Sequence, residues 1–254
     1  MSKSPASSAI CSLNFKAGQD IIKAAKEDLW EDIDLKEDLL IGKGVLWVLL
    51  WLGFMLLYTV LDVAVWRKIA PHYAKYLNLF SISLCILVFL VLLTRKNHFT
   101  IDLSKNISPQ AILLSIGCAI LFYLVLDKGI DPIFEQIFPA SEENYQQALK
   151  SLSSAPVISL IRVCVLAPFI EEILMRGFLL DGLSRNYGNA TALLVSAFLF
   201  ALLHFNMVQT LSAFICGVVL GLLYLHTGSI FCGMTAHIGY NLISYTAMIL
   251  PMYK

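Results

Sequence analysis

Apolar residues fall in long blocks along this chain, broken by short polar links. Beyond a charged stretch that ends near residue 43, the blocks occupy about 44–66, 77–94, 109–126, 153–182, 190–206, 209–226 and 229–250. Most approach the ~20 residues that an α-helix, rising ~1.5 Å per residue, needs to cross ~30 Å of hydrocarbon. The pattern predicts an all-α fold, a polytopic integral membrane bundle of about seven to eight transmembrane helices.

The links between the blocks predict which helices are neighbours. The last four blocks are joined at 186–189, 206–208 and 227–228, and links that short make successive helices antiparallel. The chain thus divides into an N-terminal cytoplasmic or interfacial segment (1–43), a first group of helices with a long loop (44–150) and a four-helix core (151–254). Residues 127–152 break the hydropathy with Asp127, Asp131, Glu135, Glu142 and Glu143, and read as the longest internal loop. Its Ile133, Phe134, Ile137 and Phe138 are suited to rest on a membrane surface.

Composition supports the membrane reading. Of 254 residues, 58% are hydrophobic and 14% charged, a balance foreign to water-soluble domains. The formal net charge of +0 gives no electrostatic case for nucleic acid, so the expected partners are membrane lipid and a substrate. Cys11, Cys85, Cys118, Cys164, Cys216 and Cys232 show no metal or redox spacing and read as packing residues. No secretory signal precedes the first apolar block, which together with the short links suggests a prokaryotic plasma membrane. Lys and Arg place the tail, the 95–108 loop and the 183–189 loop in the cytoplasm.

Charges inside the blocks carry the candidate chemistry. The stretch from Ala167 to Asp181, APFIEEILMRGFLLD, holds Glu171, Glu172 and Arg176 at a depth where each charge costs roughly 2.5 to 3.5 kcal/mol. Glu172 and Arg176 stand four apart and can neutralise each other on one helix face, leaving Glu171 without a local countercharge. Phe200 and His204 are four apart on the next helix, and His237 and Asn241 on the last. Counted from the 183–189 and 227–228 links, Glu171, His204, His237 and Asn241 share a layer ~12 to 22 Å below one surface. Such a layer fits a single hydrated pocket open to the cytoplasmic side. A carboxylate beside a histidine can take a proton from water and return it to a leaving amine, while His237 and Asn241 donate to an oxyanion.

Two further features have structural explanations. Gly217 and Gly221 form a G-x-x-x-G suited to close helix packing. Arg162 either snorkels, pairs with Asp62 or lines the pocket.

The motifs E-E-x-x-x-R (Glu171, Glu172, Arg176), F-x-x-x-H (Phe200, His204) and H-x-x-x-N (His237, Asn241) resemble, in order, those of the CPBP family, the CAAX prenyl and bacteriocin-processing (Abi) intramembrane proteases. The resemblance covers roughly residues 150 to 250. It implies a cytoplasm-accessible endopeptidase in which Glu171 and His204 activate water, His237 and Asn241 hold the oxyanion, and Glu172 and Arg176 support them. The implied substrate is a peptide or lipidated peptide: a CAAX-type tail, a bacteriocin or a pheromone precursor. Members of the family have also been classed as metalloproteases, and Glu171, His204 and His237 would be the zinc set. The absence of H-E-x-x-H favours a reaction without a cofactor. The competing readings are a non-catalytic immunity or scaffold protein of the same fold and, lower in rank, a proton-coupled transporter. The latter is disfavoured because the chain lacks the internal repeat common among transporters.

Overall fold

The computed structural model describes residues 39–249 and 251, so the N-terminal segment with its charges, Trp30 and Cys11 lies outside the described residues. Helices account for nearly all of the described chain, and no strand occurs among the described residues. Helix α1 spans Ile41–Ile69, α2 Ala74–Asn97 and α3 Pro109–Ile137. Next come α4 at Pro139–Ser153 and α5 over residues 156–187, followed by α6 over 189–201. Helices α7 (Met207–Thr227) and α8 (Ile230–Ile249) complete the bundle.

Local chemistry sets these boundaries. Ser108 Oγ accepts the Ala111 N–H and Pro109 opens α3, a pairing of cap and first-turn proline that starts a helix without loss. Asn206 does the same for α7 by accepting from Gln209 N–H, and Gly228 ends that helix at φ 65°. Between α5 and α6 the chain turns at Gly188, where φ 74° and ψ 162° interrupt an otherwise continuous helix. A side chain is strained at such a φ, so glycine is the residue that fits.

Helix α5 runs through the centre. From Ile173 to Leu180 every residue is buried, so this segment has no outward face. Helices α1 and α2 close one side of it, with the Trp47 ring edge-on to both Phe89 and Phe178. Helices α6 and α7 close another, at close range because Gly217 faces Ala197 and Phe200 while Gly221 faces Leu193. The glycine pair thus acts as the spacing predicts. Helix α3 lies along α8, where Gly239 stands against Ala119. Outward-facing Leu46, Leu56, Leu87 and Leu113 are more than half exposed, an apolar coat of the kind lipid covers.

One expectation is corrected, and the helices differ among themselves as spans. Residues 127–152 are helical: α3 continues to Ile137, and α4 follows after one residue. A hydropathy average taken over Asp127, Asp131 and Glu135 together with outward Ile133 and Ile137 reads as polar, although the acids occupy one face and the isoleucines another. Nor are the helices equal spans. Only α1, α2, α3 and α7 are long and apolar enough to cross a membrane by composition among the described residues. Helix α6 is about 20 Å long, short of the hydrocarbon thickness, and α5 carries the charges.

The bundle has two ends. Residues around Leu39, Asn106, Asn186 and Gly228 gather at one, where Asn186 Nδ2 donates to Leu39 O and Gly228 approaches Asn106. The α6–α7 link and the start of α4 meet at the other, where Asn206 Nδ2 donates to Ser141 O across 2.6 Å.

Candidate active site

Wide turns place the paired glutamates. In the stretch before Ala167 and again after Glu172 the hydrogen bonding of α5 slips to five residues, so Ala167 N–H bonds Arg162 O and Asp181 N–H bonds Arg176 O. Turns of this π type interrupt helices most often at functional positions. Between them, the short segment Ala167–Glu172 presents Glu171 and Glu172 to α8.

Glu172 is fully buried, and its Oε1 accepts two hydrogen bonds, from Arg176 Nη1 at 2.9 Å and from His237 Nδ1 at 3.0 Å. The predicted i,i+4 pair is therefore real, and the histidine of α8 extends it. Arg176, equally buried, donates through Nη2 to Gly217 O at 3.1 Å, and its guanidinium lies 4.6 Å from the centre of the Phe200 ring. A desolvated guanidinium over an aromatic face is stabilised by the ring quadrupole. Gly233 gives the carboxylate its room: a Cβ there would lie 2.7 Å from Glu172 Oε2.

With Nδ1–H held by Glu172, the far nitrogen of His237 turns toward Glu171, Nε2 standing 3.9 Å from Glu171 Oε2. Glu171 thus does have a polar neighbour, a histidine from another helix, which the local count on α5 could not reveal. The Phe200 ring is edge-on to both His204 and His237, with centroids at 5.2 and 5.6 Å, and separates the arginine from the two imidazoles. His204 sits just past the end of α6, its Nδ1 3.2 Å from Phe200 O, and its own carbonyl accepts from Thr210 Oγ1. Asn241 Nδ2 donates to Val163 O at 3.0 Å, tying α8 to the first half of α5.

Glu171, Phe200, His204, His237 and Asn241 all line one cavity of about 280 Å³. The cavity runs from that polar centre past Ala167 and Val163 to Ser212, Tyr245 and Met248, and α4 covers it with Tyr145, Leu149 and Leu152. It therefore extends toward the end where α4 begins. Its lining thus reaches toward the α6–α7 link, the end away from the 183–189 link.

Arg162 neither pairs with Asp62 nor lines the cavity. Its Nη1 donates to Asn78 Oδ1 of α2 at 2.9 Å, while Asp62 pairs with Arg67 at 2.7 Å. The cysteines of the described residues, Cys85, Cys118, Cys164, Cys216 and Cys232, are free thiols in packed positions. Among the described residues, no three His, Cys, Asp or Glu side chains gather as a metal ion requires.

Sequence reasoning missed the acids of α3. Asp127, Asp131 and Glu135 line the cavity beside the polar centre, Asp127 accepting from Tyr240 Oη at 2.7 Å and Asp131 from Ser212 Oγ. The signal was there: three carboxylates spaced four apart mark one face of a helix, not a loop. The role of Gly217 O as an acceptor for Arg176 has no side-chain signature to find.

No curated protein and no solved structure matches the chain. Residues 153–243, however, match the family model described as type II CAAX prenyl endopeptidase Rce1-like, a stretch that takes in Glu171, Glu172, Arg176, Phe200, His204, His237 and Asn241. Over residues 153–243, about a third of its length, the chain is thus similar to the Rce1-like type II CAAX prenyl endopeptidases, in line with the resemblance its three motifs carry.

Proposed function

We propose that the protein is an intramembrane endopeptidase that hydrolyses a peptide bond of a membrane-associated substrate with water activated by Glu171 and His204. The observation that carries this reading is the convergence of four polar side chains from α5, α8 and the α6–α7 link on one cavity within an apolar bundle. Glu171 takes a proton from water as the oxygen attacks the scissile carbonyl, and His204 holds that water against it. The carbonyl oxygen becomes an oxyanion beside His237 and Asn241. When the C–N bond breaks, the proton on Glu171 passes to the leaving amine.

Glu172 acts through His237. Because Nδ1–H is given to Glu172 Oε1, Nε2 donates to an oxyanion only when the ring carries both protons, and Glu172 is the carboxylate that balances that charge. Arg176 in turn keeps Glu172 in place. Asn241 spends one amide hydrogen on Val163 O, which fixes its plane and leaves the second for the substrate.

In this reading the reaction uses no metal, because Glu171 and His204 activate the water directly. The expected substrates are CAAX-type tails or bacteriocin and pheromone precursors, presented from the lipid. Cleavage of candidate peptides by purified protein in liposomes tests the scheme. Glu171→Gln is expected to lose at least about a hundredfold in kcat, as for removal of a general base. Turnover that survives this change removes the mechanism, and activity abolished by a tight chelator and restored by zinc alone replaces it with a metalloprotease. No turnover of any peptide, with binding retained, favours an immunity or scaffold role.

A further inference from the structure

Beyond the polar centre, one arm of the cavity is anionic. Asp127, Asp131 and Glu135 succeed one another at four-residue spacing along α3, and all three line the cavity that contains Glu171. Their observed partners are hydroxyls, Tyr240 for Asp127 and Ser212 for Asp131. Among the described residues none of the three forms an ion pair with Lys or Arg, and no Lys or Arg lines the cavity. The second oxygen of Asp127, Oδ2, is shut off from solvent and has no hydrogen-bond partner. Nearby Lys128 does not fill this role, because its Nζ lies 5.1 Å from the centre of the Tyr123 ring.

Carboxylates so placed are costly. Each charge in an apolar helix costs about as much as several buried methylenes return, and three of one sign at neighbouring turns repel. Groups retained at that cost usually face something cationic. Packing does not call for them, since leucine at the same positions would fill the space at no electrostatic cost.

We infer that this arm binds a basic side chain of the substrate, a Lys or Arg a few residues from the scissile bond. The inference rests on the endopeptidase reading of the same cavity and narrows its substrate class. The apolar remainder, from Leu149 and Leu152 to Val163 and Met248, suits the flanking hydrophobic residues.

The test uses the full chain in liposomes and a set of palmitoyl-anchored apolar peptides that differ at one position, Lys, Arg, Gln or Glu, each with a free or an acetylated amino end. Wild-type protein is expected to turn over the best Lys or Arg peptide at least about tenfold faster in kcat/KM than its Gln counterpart, with Glu worst. In Asp131→Asn and Glu135→Gln the Lys-to-Gln ratio is expected to fall toward one. That ratio is internal to each preparation, so partial misfolding does not mimic the effect. Equal turnover of Lys and Gln peptides, a preference that survives both carboxamides, or a preference that follows the free amino end overturns the basic side chain while leaving the endopeptidase reading intact. Binding of the same peptides to Glu171→Gln separates the other case. Tighter binding of Lys and Arg peptides without cleavage by wild type keeps the acidic arm and removes the protease, and no discrimination in binding removes the arm.

Discussion

Glu172 carries two hydrogen bonds on a single oxygen and has no exposed surface, which makes it the residue on which the others depend. Its removal strands Arg176 inside the bundle with only a carbonyl and an aromatic face for company. Breaking a buried ion pair from one side costs about 3 to 5 kcal/mol. Glu172→Gln is accordingly expected to lower the thermal midpoint in detergent far more than Glu171→Gln, whose side chain retains contact with the cavity. Equal midpoints for the two variants would mean that the arginine finds another anion. At this scale the sequence was largely legible, because i,i+4 spacing names Glu172 and Arg176 as a pair. The third member, His237, is 65 residues away and only the packing of α8 on α5 brings it in.

Helices are held at two kinds of contact, and they fail differently. Where α7 meets α6, Gly217 faces backbone: a Cβ would lie 3.1 Å from Ala197 Cα and 3.1 Å from Phe200 Cδ1. Gly217→Val is expected to cost about 1 to 3 kcal/mol through overpacking, and also to push Phe200 against the two imidazoles. Its proteolytic turnover should fall by more than its fraction folded does, which parallel activity and fluorescence-detected size-exclusion measurements reveal. Gly221 faces the flexible end of Leu193, so Gly221→Ala should be milder in both. The positions of most helices could be read from hydropathy, since apolar runs of the right length leave few alternatives. Residues 127–152 could not, because acids turned toward a cavity look like acids turned toward water when only their neighbours in sequence are known.

For the molecule as a whole, the two ends of the bundle differ in what they expose. Lys105 and Asn186 belong to one end, Glu143 and the α6–α7 link to the other. In a background without native cysteines, Lys105→Cys and Glu143→Cys are expected to react with a membrane-impermeant maleimide from opposite sides of the membrane. Labelling of both from one side would mean that α3 does not cross. Counting Lys and Arg did not settle the orientation, because basic residues occur at both ends: Arg95, Lys96 and Lys105 at one, Arg67, Lys68 and Lys75 at the other.

The slipped hydrogen bonds on either side of Ala167–Glu172 bear on how tolerant this chain is to changes of length. A π turn contains one residue more than the helix around it requires, and each residue rotates the rest of the helix by about 100°. Deleting Val165 would let the first such turn close into ordinary α-helix at little cost in hydrogen bonds, and would leave Glu171 near its present bearing on His237, because the wide turn already absorbs the rotation of its extra residue. A protein that inserts, elutes, melts and cleaves nearly as before is the expected product, measured by the same liposome assay, and loss of cleavage would show that Glu171 depends on the wide turn itself. Single-residue deletions in α2, which has no such slack, should instead abolish folding. The reading frame of a helix, and not only its composition, is what keeps this carboxylate aimed at its histidine.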